Sequence, residues 1–172
     1  MIYLVVGNIV ALIGSLLMVY TGIIKEKKKI TLVQTIQIAL LVASNLILGG
    51  ITGAIINAIS CIRNIICYKD KLKTKEKIIL VLLSTSLSLY FNNLGIIGLL
   101  PLISTVSYTL LMDLKDVVKF KILIIFTLIM WIIYDIYIKS YSSATFDFLN
   151  IITNMIAIYE LKIVKYKNKE DI

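Results

Sequence analysis

Sixteen of the eighteen basic residues of this 172-residue chain are crowded into three short connections and the tail. The connections are 25–29 (KEKKK), 69–77 (KDKLKTKEK) and 113–121 (DLKDVVKFK), and the tail carries lysines from Lys162 onward. Between them run seven apolar segments, at 2–24, 30–48, 51–68, 78–93, 95–112, 120–138 and 146–163. A helix needs about 20 apolar residues to cross a bilayer core. Lipid offers the backbone no hydrogen bonds, so such runs form helices that satisfy their own amides. The expected fold class is therefore an all-α polytopic membrane protein with seven transmembrane helices. The other three connections (Gly49 with Gly50, the 93–94 junction, and 139–145) hold only Lys139. Positive charge stays on the cytoplasmic side, which puts the N-terminus outside and the C-terminus in the cytoplasm. Connections this short leave no room for an external domain, so residues 1–172 read as a single membrane domain.

Composition narrows the function classes. The chain is 59% hydrophobic, above the roughly 45–50% of soluble domains. A net charge of +8 invites a nucleic-acid reading, but the lysines sit in loops between spans, so no nucleic-acid partner is expected. The absence of histidine removes the commonest metal ligand and general base. Cys61 and Cys67, six apart in one span, match no metal or redox spacing and read as buried apolar fillers. No paired acids on one face and no nucleophile–base spacing are evident, so no enzyme, metal or cofactor is expected. The first span lacks a basic n-region and a small-residue cleavage site, and KEKKK follows it, so it reads as a permanent helix.

Seven spans allow a 3+1+3 plan: two three-helix repeats in parallel orientation (1–68 and 95–165) joined by an inverting linker helix at 78–93. Laid on itself at an offset of ninety residues, the chain matches Ser15 to Thr105, Lys25 to Lys115, Lys29 to Lys119 and Asn45 to Asp135. Assigning seven extra residues to the loop around 139–145 raises the offset to ninety-seven, which matches Asn57 to Asn154 and Arg63 to Glu160. Parallel repeats of this kind are one transporter plan, with the substrate site near the midplane between them.

The third segment carries Asn57, Ser60, Arg63 and Asn64 along one helical face. Polar groups at membrane depth are costly and face a cavity or a partner helix. On the last segment Asp147, Asn150, Asn154 and Ala157 form a comparable stripe. Asn57 and Asn154, each about halfway along its span, suit a neutral polyhydroxy or amide-bearing solute, or else serve as interhelical packing glue. Arg63 and Glu160 lie near cytoplasmic span ends, where they either snorkel to the interface or face each other as an ion-paired gate. Asn45 and Asp135 occupy matching external positions. Asp135 reads as an external gate or proton-coupling acid, or as a headgroup-level acid within an aromatic belt of Trp131, Tyr134 and Tyr137. Pro101 breaks the backbone ladder of the fifth segment and is a candidate hinge, with Ser104 and Thr105 near enough to satisfy the freed carbonyl. The serines of the fourth segment suit helix packing in lipid.

The segments GAIINAISCIRN (53–64), LPLISTVSY (100–108) and WIIYD (131–135), together with Asn154, resemble the YgjV family of bacterial inner-membrane proteins. The likeness covers most of the chain and implies a multi-pass protein of the bacterial cytoplasmic (inner) membrane. That family's pattern tends to place a second arginine late in the last span, where this chain has Glu160. More distantly, the 3+1+3 plan is similar to the SWEET sugar transporters and the PQ-loop group. There, asparagines on the third and seventh spans face substrate, which implies that role for Asn57 and Asn154. Those proteins carry prolines near the start of both triplets; this chain has Pro101 but Ala11 in the corresponding place, which implies one hinge.

Two functions follow as expectations. One is a transporter or facilitator of a small polar solute, working by alternating access, with Asn57, Ser60, Asn150, Asn154 and Trp131 binding the solute. In it Arg63, Glu160, Asn45 and Asp135 gate or couple, and Pro101 is the hinge. The other is a structural or accessory membrane protein whose polar residues only pack helices. Seven spans could form a path alone, and a homo-oligomer is equally compatible.

Overall fold

The computed structural model describes residues 1–21, 27–69, 71–112, 114 and 116–170, with backbone alone at 21, 27, 28, 30 and 162–170. Lys25 and Lys115, matched in the ninety-residue register, lie outside the described residues, as do the side chains of the basic tail. The described residues form seven helices: α1 (Ile2–Thr21), α2 (Lys27–Ile47), α3 (Ile51–Tyr68), α4 (Thr74–Phe91), α5 (Ile96–Leu111), α6 (Val117–Tyr137) and α7 (Tyr141–Glu170). Three of them, α1, α3 and α6, are long and apolar enough to cross a membrane; the apolar stretches of α2 (Thr31–Ile47) and α5 are shorter.

Burial is inverted relative to a water-soluble bundle. Ser15, Ser44, Asn45, Thr52, Asn57 and Ser60 are buried, whereas Val5, Ile9, Leu16, Leu82, Ile122 and Ile133 are exposed. Lipid tails are as apolar as leucine, so nothing drives leucine inward in a membrane. Small and polar side chains take the inside because they allow close packing and hydrogen bonding between helices. Along α1, Gly7, Ala11 and Ser15 recur every fourth residue. There Ser44 Oγ of α2 donates to the Gly7 carbonyl at 2.8 Å. A methyl group at Gly7 would lie 2.7 Å from Leu48.

Helix contacts close a ring. They run α1–α2, α2–α3, α3–α5, α5–α6, α6–α7 and α7–α1, while α4 touches only α3 and α5. Helix α4 thus stands outside a six-helix ring, braced across the α3–α5 seam. Its Ser84 and Ser88, both buried, provide a small-residue face for that contact.

The two turns that reverse α2 into α3 and α6 into α7 are built alike. Leu48 N–H donates to the Ser44 carbonyl at 2.9 Å, and Ile138 N–H to Tyr134 at 3.0 Å. Gly50 N–H donates to Asn45 at 2.8 Å, and Ser140 N–H to Asp135 at 2.7 Å. Ala54 and Ala144, early in the next helices, reach back to Gly50 and Ser140. Each bond of the second turn stands ninety residues on from its counterpart, as Tyr134 does from Ser44. The left-handed residue at the centre is Gly49 (φ 79°) in one and Lys139 (φ 62°) in the other.

This overturns the long external loop expected at 139–145. Helix α7 begins at Tyr141, the connection is a tight turn, and no seven-residue insertion shifts the register. The physical reason lies in α1. A lysine in the left-handed region costs about 1–2 kcal/mol, which glycine would avoid. Asn8 offsets that cost by bridging the turn: its Nδ2 donates to the Lys139 carbonyl at 2.8 Å. Its Oδ1 accepts from Ser142 N–H at 3.0 Å, capping α7 from another helix.

Candidate functional site

The ring lines a partly open cavity of about 880 Å³. All six ring helices line it and α4 does not. Its wall is polar for a space inside a membrane-type bundle. Gln34, Gln37 and Asn45 come from α2, Asn57, Ser60, Arg63 and Asn64 from α3, Thr105 and Tyr108 from α5, and Trp131 and Asp135 from α6; Asp147 and Asn150 come from α7. With the offset constant at ninety, the lining falls into corresponding places on the two sides. Ser15 answers Thr105, Asn45 answers Asp135, Asn57 answers Asp147, Ser60 answers Asn150 and Arg63 answers Thr153, and every one of these residues faces the cavity.

Asn57 carries the clearest signal. It is 6% exposed, and its Nδ2 has no hydrogen-bond partner in the protein. An asparagine acting as packing glue would bond to a neighbouring helix; this one belongs to the cavity wall with its Nδ2 enclosed and unbonded. Asn45 also carries an unbonded amide atom: its Nδ2 donates to the Leu41 carbonyl one turn back, and its Oδ1, buried towards Gly50, is unpartnered. Leaving a buried amide group unbonded costs roughly 1–3 kcal/mol, a cost a fold retains only for a reason.

Asn154 behaves differently. Its Nδ2 donates to the carbonyl and to Oδ1 of Asn150, at 2.8 and 3.0 Å. Its Oδ1 accepts from Lys121 Nζ of α6 at 3.4 Å. Asn154 is therefore a packing link between α6 and α7. In the ninety-residue register it answers Asn64, and the cavity position opposite Asn57 belongs to Asp147. The expected Asn57–Asn154 pair is corrected accordingly.

The Arg63–Glu160 gate is also corrected. Arg63 Nη1 donates to Thr109 Oγ1 at 3.4 Å, and the guanidinium lies 5.1 Å from the ring centroid of Tyr108. Both partners are on α5, so Arg63 joins α3 to α5 through a cation–π contact and a long hydrogen bond. Glu160 is exposed on α7 and makes no ion pair among the described residues. The two were matched only through the insertion that the α6–α7 turn removes.

Near the other end of the cavity, Trp131 and Tyr134 meet edge to face, with centroids 5.8 Å apart. Tyr134 is fully buried, and its hydroxyl accepts from Gly53 N–H at 2.9 Å. Of the three residues in the belt alternative only Tyr137 is exposed; Trp131 lines the cavity and Tyr134 ties α6 to α3. Pro101 is buried within α5, opposite no second proline. Ser104 Oγ bonds the Thr127 carbonyl of α6 at 3.3 Å instead of serving the carbonyl that Pro101 frees. No group of three or more metal-ligating side chains occurs among the described residues.

Gln37, Tyr108 and Thr127 line the cavity without any sequence signal that singles them out, and Asp147, expected on the polar stripe of the last segment, lines it as well. Asp135 and Asp147 face the same space from α6 and α7 and lie within electrostatic reach of each other. The two acids come from different helices, so no single helical face reveals their meeting. The signal that could have found the pair is the ninety-residue register carried through the turn without interruption.

Over residues 5–165 the chain matches the family described as Imp-YgjV, bacterial inner membrane protein, and it belongs to that family. It is accordingly a protein of the bacterial inner membrane. Neither a curated protein nor a solved structure matches it.

Proposed function

We propose that this member of the Imp-YgjV family carries a small polar solute across the inner membrane. It does so by alternating access between two three-helix units, α1–α3 and α5–α7, with α4 as the inverting linker. The observation that carries this reading is the polar cavity of about 880 Å³, with the unpartnered amide of Asn57 in its wall. Solute sites of drug-sized ligands occupy roughly 300–1,000 Å³. Contacts between the halves occur at α3–α5 and α7–α1, places that exchange when α1–α3 is superposed on α5–α7, as a rocking pair of units requires. The N-terminus is outside and the C-terminus cytoplasmic, because the basic connections fall on alternate ends of the helices. Asn57, Ser60, Asn150 and Trp131 contact the solute, Asn45 and Asp135 act near the external mouth, and Pro101 allows α5 to bend. No catalytic step is assigned. The partners are the bilayer and the solute, and one chain contains a whole path whether or not it associates with copies of itself.

A second reading, an accessory membrane protein whose polar groups only pack, draws support from Asn154 and Ser104. Each makes a hydrogen bond to neighbouring helix α6, and Asn154 spends its Nδ2 on Asn150 of its own helix. Untargeted metabolite analysis of cells with and without the protein separates the two. Transport requires at least one metabolite whose accumulation follows the wild type and is lost with Asn57→Ala at equal expression. An unchanged metabolite profile would favour the accessory role.

A further inference from the structure

The cavity separates its charges. Asp135 and Asp147 lie towards the α6–α7 turn, whereas Arg63 lies further along α3. Asp135 is only 3% exposed, and neither carboxylate accepts a hydrogen bond or joins an ion pair among the described residues. Among the described residues Arg63 has Thr109 and the Tyr108 ring for company, which leaves most of its five N–H donors unused and no acid paired with it. Level with Asp147, Asn57 is 6% exposed, lines the cavity and has no protein partner for its Nδ2.

Distance follows from helix geometry. Asn57 and Asp147 hold the same place in α3 and α7, each six residues beyond the first. Arg63 is six residues further along α3, a rise of about 9 Å at 1.5 Å per residue. Two acids facing one cavity repel each other and are costly to bury without a counter-ion, as is an unpaired guanidinium. A solute that brought a positive group to one pole and a negative group to the other would relieve both costs at once.

Resting on the transporter reading, we propose that the solute is a small zwitterion: an ammonium group bound between Asp135 and Asp147, and a carboxylate or similar anion bound by Arg63. The Asn57 and Asn45 amides, which answer Asp147 and Asp135 on the other unit, lie beside the ammonium end. The half-to-half differences acquire a purpose in this arrangement. Where the first unit has Asn45 and Asn57, the second has acids, so a site built from like halves becomes polarised and orients its solute.

The test uses the purified full-length protein in detergent, with thermal unfolding as readout. The probes are linear ω-amino acids graded in chain length, amines and carboxylic acids matched to them in length, and neutral polyols. The expected result is a rise in Tm that peaks at one chain length among the ω-amino acids and falls for shorter and longer ones. Matched single-charge probes should bind at least roughly tenfold more weakly, since each lacks one charge-assisted contact. Asp147→Asn and Arg63→Gln should each abolish the preference for zwitterions. The wild-type panel decides the matter even if a variant fails to fold. Equal binding of the matched amine overturns the role of Arg63 and with it the zwitterion. A polyol response without a zwitterion response overturns the proposal and leaves transport standing. Silence of every probe, with a metabolite still accumulating in cells, does the same; silence together with an unchanged metabolite profile removes both readings.

Discussion

Tyr134 of α6 accepts a hydrogen bond at 2.9 Å from the backbone N–H of Gly53, in the first turn of α3. The amides of a helix's first turn lack intrahelical partners, so the phenol hydroxyl supplies one from across the ring. The tyrosine is fully buried, and the ring lies against the α-carbon of Gly53. One residue thus satisfies an orphan donor, fills the interior beside the cavity and joins the two halves of the molecule.

Tyr134→Phe should leave that N–H buried and unbonded, at a cost of about 1–3 kcal/mol. Gly53→Ala should cost more, because its new methyl group would sit 2.6 Å from the Tyr134 ring and neither backbone can easily retreat. Reversible unfolding in mixed micelles measures both. The order of the two losses is the test, and a neutral Gly53→Ala would contradict the close approach.

Asn8 should matter for stability more than its place on a lipid-facing type of helix suggests. Asn8→Ala removes two hydrogen bonds to the α6–α7 turn and should destabilise by about 1–2 kcal/mol. Lys139→Gly should go the other way. Relief of the left-handed lysine (φ 62°) outweighs the added freedom of glycine in the unfolded chain, for a gain of about 0.5 kcal/mol. Gly49→Ala, at the matching turn, should lose about 1 kcal/mol. Opposite signs at Lys139 and Gly49 in the same unfolding assay are what the shared turn geometry requires.

Asn57→Ala separates binding from packing. The side chain has no protein partner for its Nδ2, so its loss should not destabilise, and relief of the unbonded amide should stabilise by up to about 1–3 kcal/mol. Accumulation of the transported metabolite should fall roughly tenfold, the worth of one lost hydrogen bond to solute. A large stability loss with unaltered accumulation would make Asn57 a structural residue.

Arg63→Glu combined with Glu160→Arg should restore nothing that Arg63→Glu loses, because Arg63 engages Tyr108 and Thr109 while Glu160 is exposed. Tyr108→Leu should cost about 0.5–2 kcal/mol through the lost cation–π contact. Rescue of expression or accumulation by the double charge reversal would reinstate the α3–α7 gate.

The helices were legible in the sequence wherever apolar runs ended at lysines or at glycine. Segments 51–68 and 2–24 coincide with α3 and α1 to within a few residues, because hydropathy and loop charge act locally. The start of α7 was not legible. A turn centred on Lys139 lacks the glycine that marks its twin at Gly49, and Asn8, the residue that makes it possible, is 131 residues away in the chain. From that one misplaced boundary came the match of Asn57 to Asn154 and of Arg63 to Glu160.

The sequence by itself therefore determined that the chain is a helical inner-membrane protein, and which helix faces are polar. Periodicity states which residues share a face, and lipid decides that the polar face turns inward. Tertiary structure alone decided what each face meets. It closed α1–α3 and α5–α7 into a ring, left α4 outside, gave Arg63 an aromatic ring in place of an acid, and brought Asp135 and Asp147 to one cavity. Those outcomes depend on the rotation of packed helices and on bonds between residues far apart in the chain, which no local pattern encodes.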